Sequence, residues 1–347
     1  MIQQKILRNN LRRILRSGLS SGLLSGLLAN AVYLSGLGRS VFTFSISPLA
    51  LFGVGFLFGF LIPLLVRTLF DIVLTHRRIK RLPYLAKSAL RVLAIAAVMS
   101  AIYLLVGAVF FRPALLAQAP LAFTGLMTAV VAVAVVTRST VAEFLGPEFF
   151  RNIVTGRYHL AREQDVIILF IDLKGSTSFA ESLPAAWFFQ LLNDFLYIAE
   201  QSVQYHRGTV YKYLGDGLIA YWPAAAGNFS RAHDAMRDIS AELAEQRDEL
   251  TTKYWRPLEC TAGLHCGPVL IGELGSIRKE IGLWGDTVNT AQRIQGACRQ
   301  FDVTLLCSRE FHDRLAAEGT TPGASPRVFE DVALRGKEKA VTLVALE

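Results

Sequence analysis

Four long stretches without a charged side chain lie within the first 140 residues of the chain. Each has about 20 residues or more, which is the length at which a helix crosses roughly 30 Å of hydrocarbon. We therefore predict that residues 1–140 form an α-helical membrane domain. Its four helices are expected at about residues 17–38, 47–69, 90–111 and 117–137.

The first of these stretches is the least hydrophobic and contains Gly18, Gly22 and Gly26. A spacing of four residues between glycines lets helix backbones approach closely in lipid. A secretory signal peptide is the alternative interpretation. No A-x-A-like cleavage site is present and three similar stretches follow, so a membrane span is favoured.

The charged residues divide unevenly along the chain. Residues 1–140 contain fifteen Lys and Arg and one acid, Asp71, whereas residues 141–347 contain twenty-one Lys and Arg and twenty-seven acids. The net charge of +8 therefore belongs to the first part and does not indicate nucleic-acid binding. A single acid also leaves little polar machinery for a transporter or channel, which is another class that we considered.

Basic residues cluster before the first predicted span and in the segment 75–91, between the second and third spans. The positive-inside rule then places the N-terminus and everything after residue 138 in the cytoplasm. We expect a multi-pass protein of the cell (inner) membrane whose partners include the lipid bilayer and exclude nucleic acid.

The second part of the chain has the composition of a separate domain. Residues 141–164 are interpreted as a linker with a short transmitting helix, and residues 165–347 as the second domain. The order of its patterns, β-α-β-β-α-β-α-β, predicts a ferredoxin-like α/β (α+β) sandwich with a mostly antiparallel sheet. The predicted elements are a buried strand at 166–171, helices at 185–206, 230–250 and 285–301, a hairpin at 208–223, and a hairpin at 258–274 around Cys266-Gly267-Pro268. All four cysteines of the chain lie in this part without a CxxC pair, and we expect reduced thiols, mostly in the core.

Two aspartates occupy the ends of neighbouring predicted strands. Asp172 ends the strand at 166–171, and Asp216 lies in the turn of the hairpin at 208–223. Taken singly, Asp172 could be a helix N-cap or a surface ion pair, and Asp216 an ordinary turn residue. Taken together, two converging carboxylates suit Mg²⁺ or Mn²⁺ and a polyphosphate. Next to them, the backbone N–H groups of Gly175, Ser176 and Thr177 at a helix start are suited to an anion.

Four motifs in order, "FIDLKGST", "YKYLGDG", "GLWGDTVNTAQR" and "LRGKEKA", resemble those of the class III nucleotidyl cyclases. The resemblance covers about residues 145–347, and the membrane part is similar in layout to bacterial members with N-terminal spans. The chain contains no P-loop and no GGDEF segment, which argues against ATPases and diguanylate cyclases.

The resemblance implies roles for individual residues. Asp172 and Asp216 match the family's two metal aspartates, with the backbone carbonyl of Leu173 completing one shell. Two Mg²⁺ or Mn²⁺ ions per active site follow as cofactors.

Further matches lie in the other three motifs. Lys212 matches the lysine that reads the purine, Asn289 the asparagine that orients the ribose, and Arg293 the arginine that stabilises the transition state. Lys337 matches a lysine for the terminal phosphate, and Arg278 is a weaker candidate for the same role.

One position departs from the family pattern. Where adenylate-forming members usually have Asp or Thr and guanylate-forming members a small Cys or Ser, this chain has Gly282. Glycine offers no side chain to the adenine amino group, which leaves the Gly282 carbonyl or a water as acceptor. Lys212 still favours adenine, since its ammonium can donate to N1 of that base.

The resemblance implies a homodimer with composite sites, because the metal aspartates and the Lys/Asn/Arg set face each other across a dimer in this family. The expected function is a membrane-anchored adenylate cyclase that converts ATP to cyclic AMP and pyrophosphate. A guanylate cyclase and a non-catalytic cyclase-like membrane receptor are the alternatives.

Overall fold

The structure, a computed structural model, describes residues 161–276, 280–319, 326–337 and 339–346, together with isolated positions between residues 19 and 160. The chain divides into two compact units, of which one comprises Gln3–Leu145 and the other contains Gly146–Glu347. None of the helices in the described part is both long enough and apolar enough to cross a bilayer. The four predicted spans and most of the predicted linker lie outside the described residues.

Eight strands and six helices make up the described part of the second unit. The strands are β1 (Arg162–Leu173), β2 (Thr209–Leu214), β3 (Gly217–Pro223), β4 (Cys260–Leu274), β5 (Glu280–Trp284), β6 (Leu305–Ser308), β7 (Val328–Val332) and β8 (Val341–Ala345). The helices are α1 (Ser176–Ser182), α2 (Ala185–Tyr205), α3 (Asn228–Glu245), α4 (Arg247–Tyr254), α5 (Asp286–Phe301) and α6 (Arg309–Ala317).

The strands form one sheet in the order β2-β3-β1-β4-β6-β8-β7, and β5 pairs with β4 outside this path. Strands β1 to β4 are all paired antiparallel, whereas β6 runs parallel to β4. The order β2-β3-β1-β4 with helices between β1 and β2 and between β3 and β4 is the arrangement that the β-α-β-β-α-β pattern predicts. The mixed α/β sheet expected for this domain is therefore confirmed.

Strand β1 is apolar without interruption because both of its faces are covered. Val166, Ile168 and Phe170 pack in a cluster with Ala291 of α5. The alternate residues, such as Leu169, pack in a second cluster with side chains of α2 and α3. A strand buried on both faces has no solvent side and reads as a continuous apolar run, as predicted for residues 166–171.

The predicted hairpin around Cys266-Gly267-Pro268 is wrong, because β4 is one strand of fifteen residues that passes through this sequence. Its pairing with β1 continues through Gly267 and Pro268. On its other edge, pairing with β6 ends at Leu264 and pairing with β5 begins at Leu270. Pro268 thus falls where this edge has no strand partner in the described part, so its missing N–H interrupts no ladder.

Other predicted elements agree with the structure apart from their ends. The helix at 185–206 is α2, the hairpin at 208–223 is β2–β3, and the helix at 285–301 is α5. The charged segment 230–250 divides at Gln246 into α3 and α4. The cysteines Cys260, Cys266, Cys298 and Cys307 are free and buried, as expected.

Helix α5 approaches β4 so closely at Gly263 that a side chain there would collide with the backbone of Ala291 and Gln295. We expect Gly263→Ala to displace α5 and to lower the free energy of unfolding by about 1–3 kcal/mol. Gly296→Ala is the matched control, since its methyl group would meet nothing within 4 Å. It should stabilise the helix by up to about 1 kcal/mol. Urea denaturation of both variants checks this, and equal effects would contradict the close packing.

Candidate active site

The two predicted metal aspartates meet at one end of the central strands. Asp172 of β1 pairs with Gly217, the first residue of β3, and Asp216 directly precedes that glycine. The backbone N–H of Leu173 donates to the carbonyl oxygen of Asp216 over 3.2 Å. The side chain of Asp216 is near enough to raise the pKa of Asp172 through its charge and through hydrogen bonding. The predicted convergence of these side chains is present in the structure.

The sequence around Asp216 explains this geometry. Leu214 pairs with Gly217, so that Gly215 and Asp216 form a two-residue turn, and Gly215 has a φ of 66°. Such tight hairpin turns require a positive φ that glycine adopts without cost. Gly217 has no room for a side chain, because a methyl group there would collide with the carbonyl oxygen of Ile171 and lie 3.0 Å from Oδ1 of Asp172.

The carboxyl group of Asp172 has an unusual proton affinity. Burial, the charge of Asp216 and the hydrogen bond between the two groups raise the pKa of Asp172 from 3.8 to about 6. A backbone hydrogen bond at Leu173 and the charge of Arg299 act in the opposite direction. Two acids held together against their mutual repulsion are the arrangement that a cation relieves.

The donor set at this end of the sheet fits a hard divalent cation. Carboxylate oxygens and backbone carbonyls are the ligands of Mg²⁺ and Mn²⁺, which keep part of their shell for water and substrate phosphates. In the described part of the chain, no group of three or more His, Cys, Asp or Glu side chains is arranged to hold a metal. An ion held here would therefore depend on Asp172, Asp216, backbone oxygens and the substrate.

The predicted anion-binding turn follows Asp172 directly. Gly175 precedes α1 with a φ of 73°, and Ser176 is the first residue of the helix. Thr177 is exposed on the first turn. These residues lie next to the acidic pair, as the sequence predicted, and their role toward a phosphate stays a prediction.

Lys212, the predicted purine-reading residue, lies on β2 and faces β5. Its Nζ is 3.8 Å from Oε2 of Glu280, and both side chains are about half exposed. Gly282 lies two residues along β5 from Glu280 and is buried. A side chain at Gly282 would collide with the indole Nε1 of Trp284. The indole thus occupies the space that a side chain at position 282 would need.

The predicted ribose and transition-state residues lie on α5. Asn289 is exposed and Arg293, four residues later, is half-buried, so the two share one face of the helix. The Arg293 guanidinium lies close to Gly336, because a Cβ atom built on this glycine would be 3.4 Å from a guanidinium nitrogen. This contact places Lys337 near Arg293, and the structure thereby gathers two predicted phosphate-binding cations from distant parts of the sequence.

Asp286 is the residue of this cluster that the sequence analysis missed. The ammonium of Lys337 donates to Oδ2 of Asp286 over 2.6 Å. That hydrogen bond, ahead of all other influences, lowers the pKa of Asp286. The available signal was its position as the first residue of a helix in the motif "GDTVN", although no sequence pattern shows which cation it meets.

The predicted residues thus form separate groups within one chain. The acidic pair lies where β1 ends and β3 begins, and the charge of Arg299 acts on it. Lys212 contacts Glu280 of β5, and Arg293 and Lys337 lie near Asp286. Among the described residues, no hydrogen bond or ion pair joins the acidic pair to Lys212, Asn289 or Arg293. Arg278 lies outside the described residues.

The raised pKa of Asp172 makes cation binding depend on pH. Protons compete with the metal below the pKa of about 6, so Mn²⁺ affinity should fall about fivefold from pH 6 to pH 5 and should approach a tenfold fall per pH unit below that. Titrations followed by electron paramagnetic resonance measure this fall. Asp172→Asn removes the titrating group, and its weaker affinity should be nearly independent of pH. A wild-type affinity that is equal at pH 5 and pH 7 would contradict the assignment.

The same pKa predicts an effect on stability in the absence of metal. A carboxyl group whose pKa is raised in the folded state stabilises the fold at acid pH, and this contribution is lost as the pH rises through about 6. Asp172→Asn should therefore stabilise the metal-free protein by about 1 kcal/mol at pH 7.5, with solvent screening taken into account, and have little effect below about pH 4. Thermal unfolding at the two pH values distinguishes this result from a uniform shift.

Comparison with known proteins places this geometry in a family. The family model described as "Adenylate and Guanylate cyclase catalytic domain" matches residues 159–346. Adenylate cyclase 2 of Rhizobium meliloti (strain 1021) is 31% identical over 180 residues, which are 50% of this chain and 48% of that protein. An adenylate cyclase of Anabaena cylindrica is 28% identical over 205 residues, which are 57% of this chain and 39% of that protein. The match thus spans less than half the length of either relative.

A solved structure of a bacterial light-regulated adenylyl cyclase shares the fold. It is 21% identical, with a TM-score of 0.54, and the match covers 63% of this chain and 64% of that one. The family match covers more than half of the chain and includes both aspartates at the end of the central strands. The chain belongs to the family of adenylate and guanylate cyclase catalytic domains.

Proposed function

We propose that the protein is a membrane-anchored adenylate cyclase, which converts ATP to 3′,5′-cyclic AMP and pyrophosphate in a homodimer. The observation that carries the proposal is the contact between the carboxyl groups of Asp172 and Asp216 at the end of β1. The raised pKa of Asp172 is typical of a site that binds a cation. Asp172 lies in the first of the four cyclase motifs, and Asp216 lies in the second. Similarity to named adenylate cyclases at 28–31% identity supports the choice of reaction.

In this reaction the ribose 3′-oxygen forms a bond to the α-phosphorus while the bond from that phosphorus to the pyrophosphate oxygen breaks. Two Mg²⁺ or Mn²⁺ ions, when bound, would supply positive charge that acidifies the 3′-hydroxyl and neutralises the triphosphate. Asp172, Asp216 and the carbonyl of Leu173 would hold them. The proton of the 3′-hydroxyl passes to solvent.

The remaining residues of the proposed site position the nucleotide. The ammonium of Lys212 donates to the purine, and Asn289 orients the ribose. The guanidinium of Arg293 stabilises the charge that develops on the transferred phosphorus, for which its planar donor geometry is suited. Lys337 binds the terminal phosphate, and for this it must exchange its hydrogen bond to Asp286 for one to the nucleotide.

A homodimer follows from the separation of these groups within one chain. The acidic pair of one protomer and the Lys212, Asn289 and Arg293 set of its partner would complete each site, giving two equivalent sites per dimer. The membrane anchor and the location in the cell (inner) membrane rest on the uncharged stretches within residues 1–140 and on the positions of the basic residues between them.

The direct test is product identification with purified full-length protein, Mn²⁺ and either ATP or GTP. We expect cyclic AMP from ATP, and Asp172→Ala or Asp216→Ala should lower turnover at least about 100-fold, because each removes charge that the reaction requires. Arg309→Ala is the control, since it breaks only an exposed ion pair with Asp313 on α6. Full activity in either aspartate variant would refute the proposed metal site.

The composite site predicts complementation between two inactive variants. Co-expression of Asp216→Ala with Arg293→Ala gives mixed dimers with one intact site, so activity should recover to roughly a quarter of wild type for random pairing. Asp172→Ala with Asp216→Ala is the matched control, because both lesions fall on the same half of the site and every site stays defective. If mixed dimers form and the first pair stays inactive, the composite site is wrong.

A guanylate cyclase is the second candidate. Gly282 keeps this candidate open, since the chain has neither the Asp or Thr that is usual in adenylate-forming members nor the Cys or Ser of guanylate-forming members at that position. Comparison of kcat/KM for ATP and GTP decides between the two.

A further inference from the structure

One face of β5 carries three residues of different chemistry. Alternation along the strand places Glu280, Gly282 and Trp284 on this face, while Ile281 and Leu283 pack against the core. Glu280 is exposed and Trp284 is 55% exposed, but Gly282 is buried. Since a side chain at Gly282 would collide with the indole of Trp284, the indole itself covers the glycine.

Strand β2 adds a cation to this face. Lys212 reaches Glu280 with its Nζ 3.8 Å from Oε2. A second contact holds the two strands together, because the backbone N–H of Leu283 donates to the hydroxyl of Tyr211 over 3.2 Å. The surface formed by Lys212, Glu280 and Trp284 therefore combines a positive charge, a negative charge and an aromatic ring, and we call it the β5 face.

The β5 face combines side chains that donate hydrogen bonds with one that accepts them. The Lys212 ammonium and the Trp284 indole can only donate, and Gly282 has no side chain. Glu280 supplies the carboxylate acceptor of this group. The ion pair between Lys212 and Glu280 joins two half-exposed side chains, so it contributes at most about 1 kcal/mol to stability and can be exchanged for contacts with a ligand.

We propose that Glu280 is a specificity-determining residue that accepts a hydrogen bond from the 6-amino group of adenine, in place of the side chain that Gly282 lacks. This inference rests on the proposed cyclase function. Adenine presents an acceptor at N1 and a donor at its 6-amino group, which match the Lys212 ammonium and the Glu280 carboxylate. Guanine in the same orientation presents a donor at N1 and an acceptor at O6, so both contacts become repulsive.

The test compares kcat/KM for ATP and GTP in Glu280→Ala and wild type, using full-length protein. ATP use should fall at least about tenfold while GTP use does not fall, because only the adenine contact loses its partner. Glu280→Gln keeps an oxygen that can accept and should retain most of the preference. Asp313→Ala, which breaks the exposed 2.9 Å pair with Arg309 on α6, should leave the ratio unchanged.

Binding measurements separate this inference from the proposed function. Calorimetric titration with ATP and GTP in the presence of Ca²⁺ measures the same preference without turnover. A wild-type protein that makes no cyclic nucleotide would contradict the proposed cyclase function. The ratio of ATP affinity to GTP affinity would still test the role of Glu280. An ATP-to-GTP ratio in Glu280→Ala within twofold of wild type, a larger loss for GTP than for ATP, or an equal loss of preference in Glu280→Gln would overturn the role of Glu280.

Discussion

The antiparallel pairing of β1 with β3 is the constraint on which the candidate site depends. This pairing sets Asp172 opposite Gly217, and the two-residue turn before Gly217 leaves Asp216 no position except beside Asp172. The interior of the domain is organised around the same strand, since apolar side chains cover both of its faces. The stability of the core therefore holds two acidic groups together at its edge, where burial and their mutual repulsion raise the pKa of Asp172 to about 6.

The cationic residues are held by a different part of the fold. Helix α5 starts after β5 and lies against β4, where the absence of a side chain at Gly263 allows a close approach of the two backbones. Asn289 and Arg293 follow from the helical repeat, but the proximity of Lys337 follows from the loop before β8, near Gly336. Two of these cationic side chains are paired with acids in the structure. Lys337 donates a hydrogen bond to Asp286, and Lys212 lies beside Glu280. In the proposed function, a nucleotide would have to compete with these acids for its cationic partners.

Sequence reasoning was most reliable where a pattern has one physical explanation. The run at 166–171 is short, β-branched and apolar on both faces, which favours a covered strand, and the Gly-Asp-Gly sequence is typical of a hairpin turn. It failed at Cys266-Gly267-Pro268, which has the composition of a turn. There the long pairing with β1 keeps the strand extended, and Pro268 falls in a gap of the other edge. Local composition does not report which edge of a strand has a partner, so this error could not be avoided from sequence alone.

The sequence by itself determined the division of the chain, the β-α-β-β-α-β order at the centre of the second domain, and the identity of the acidic and basic residues in the cyclase motifs. Each of these is a property of local pattern, such as charge distribution, hydrophobic period or turn chemistry. Only the tertiary structure decided which acids the cations meet: Lys337 contacts Asp286, and Lys212 contacts Glu280. The partners in these pairs are 51 and 68 residues apart in the chain. Contacts over such separations are fixed by strand register and helix packing, which depend on the whole core and leave no signature at either residue.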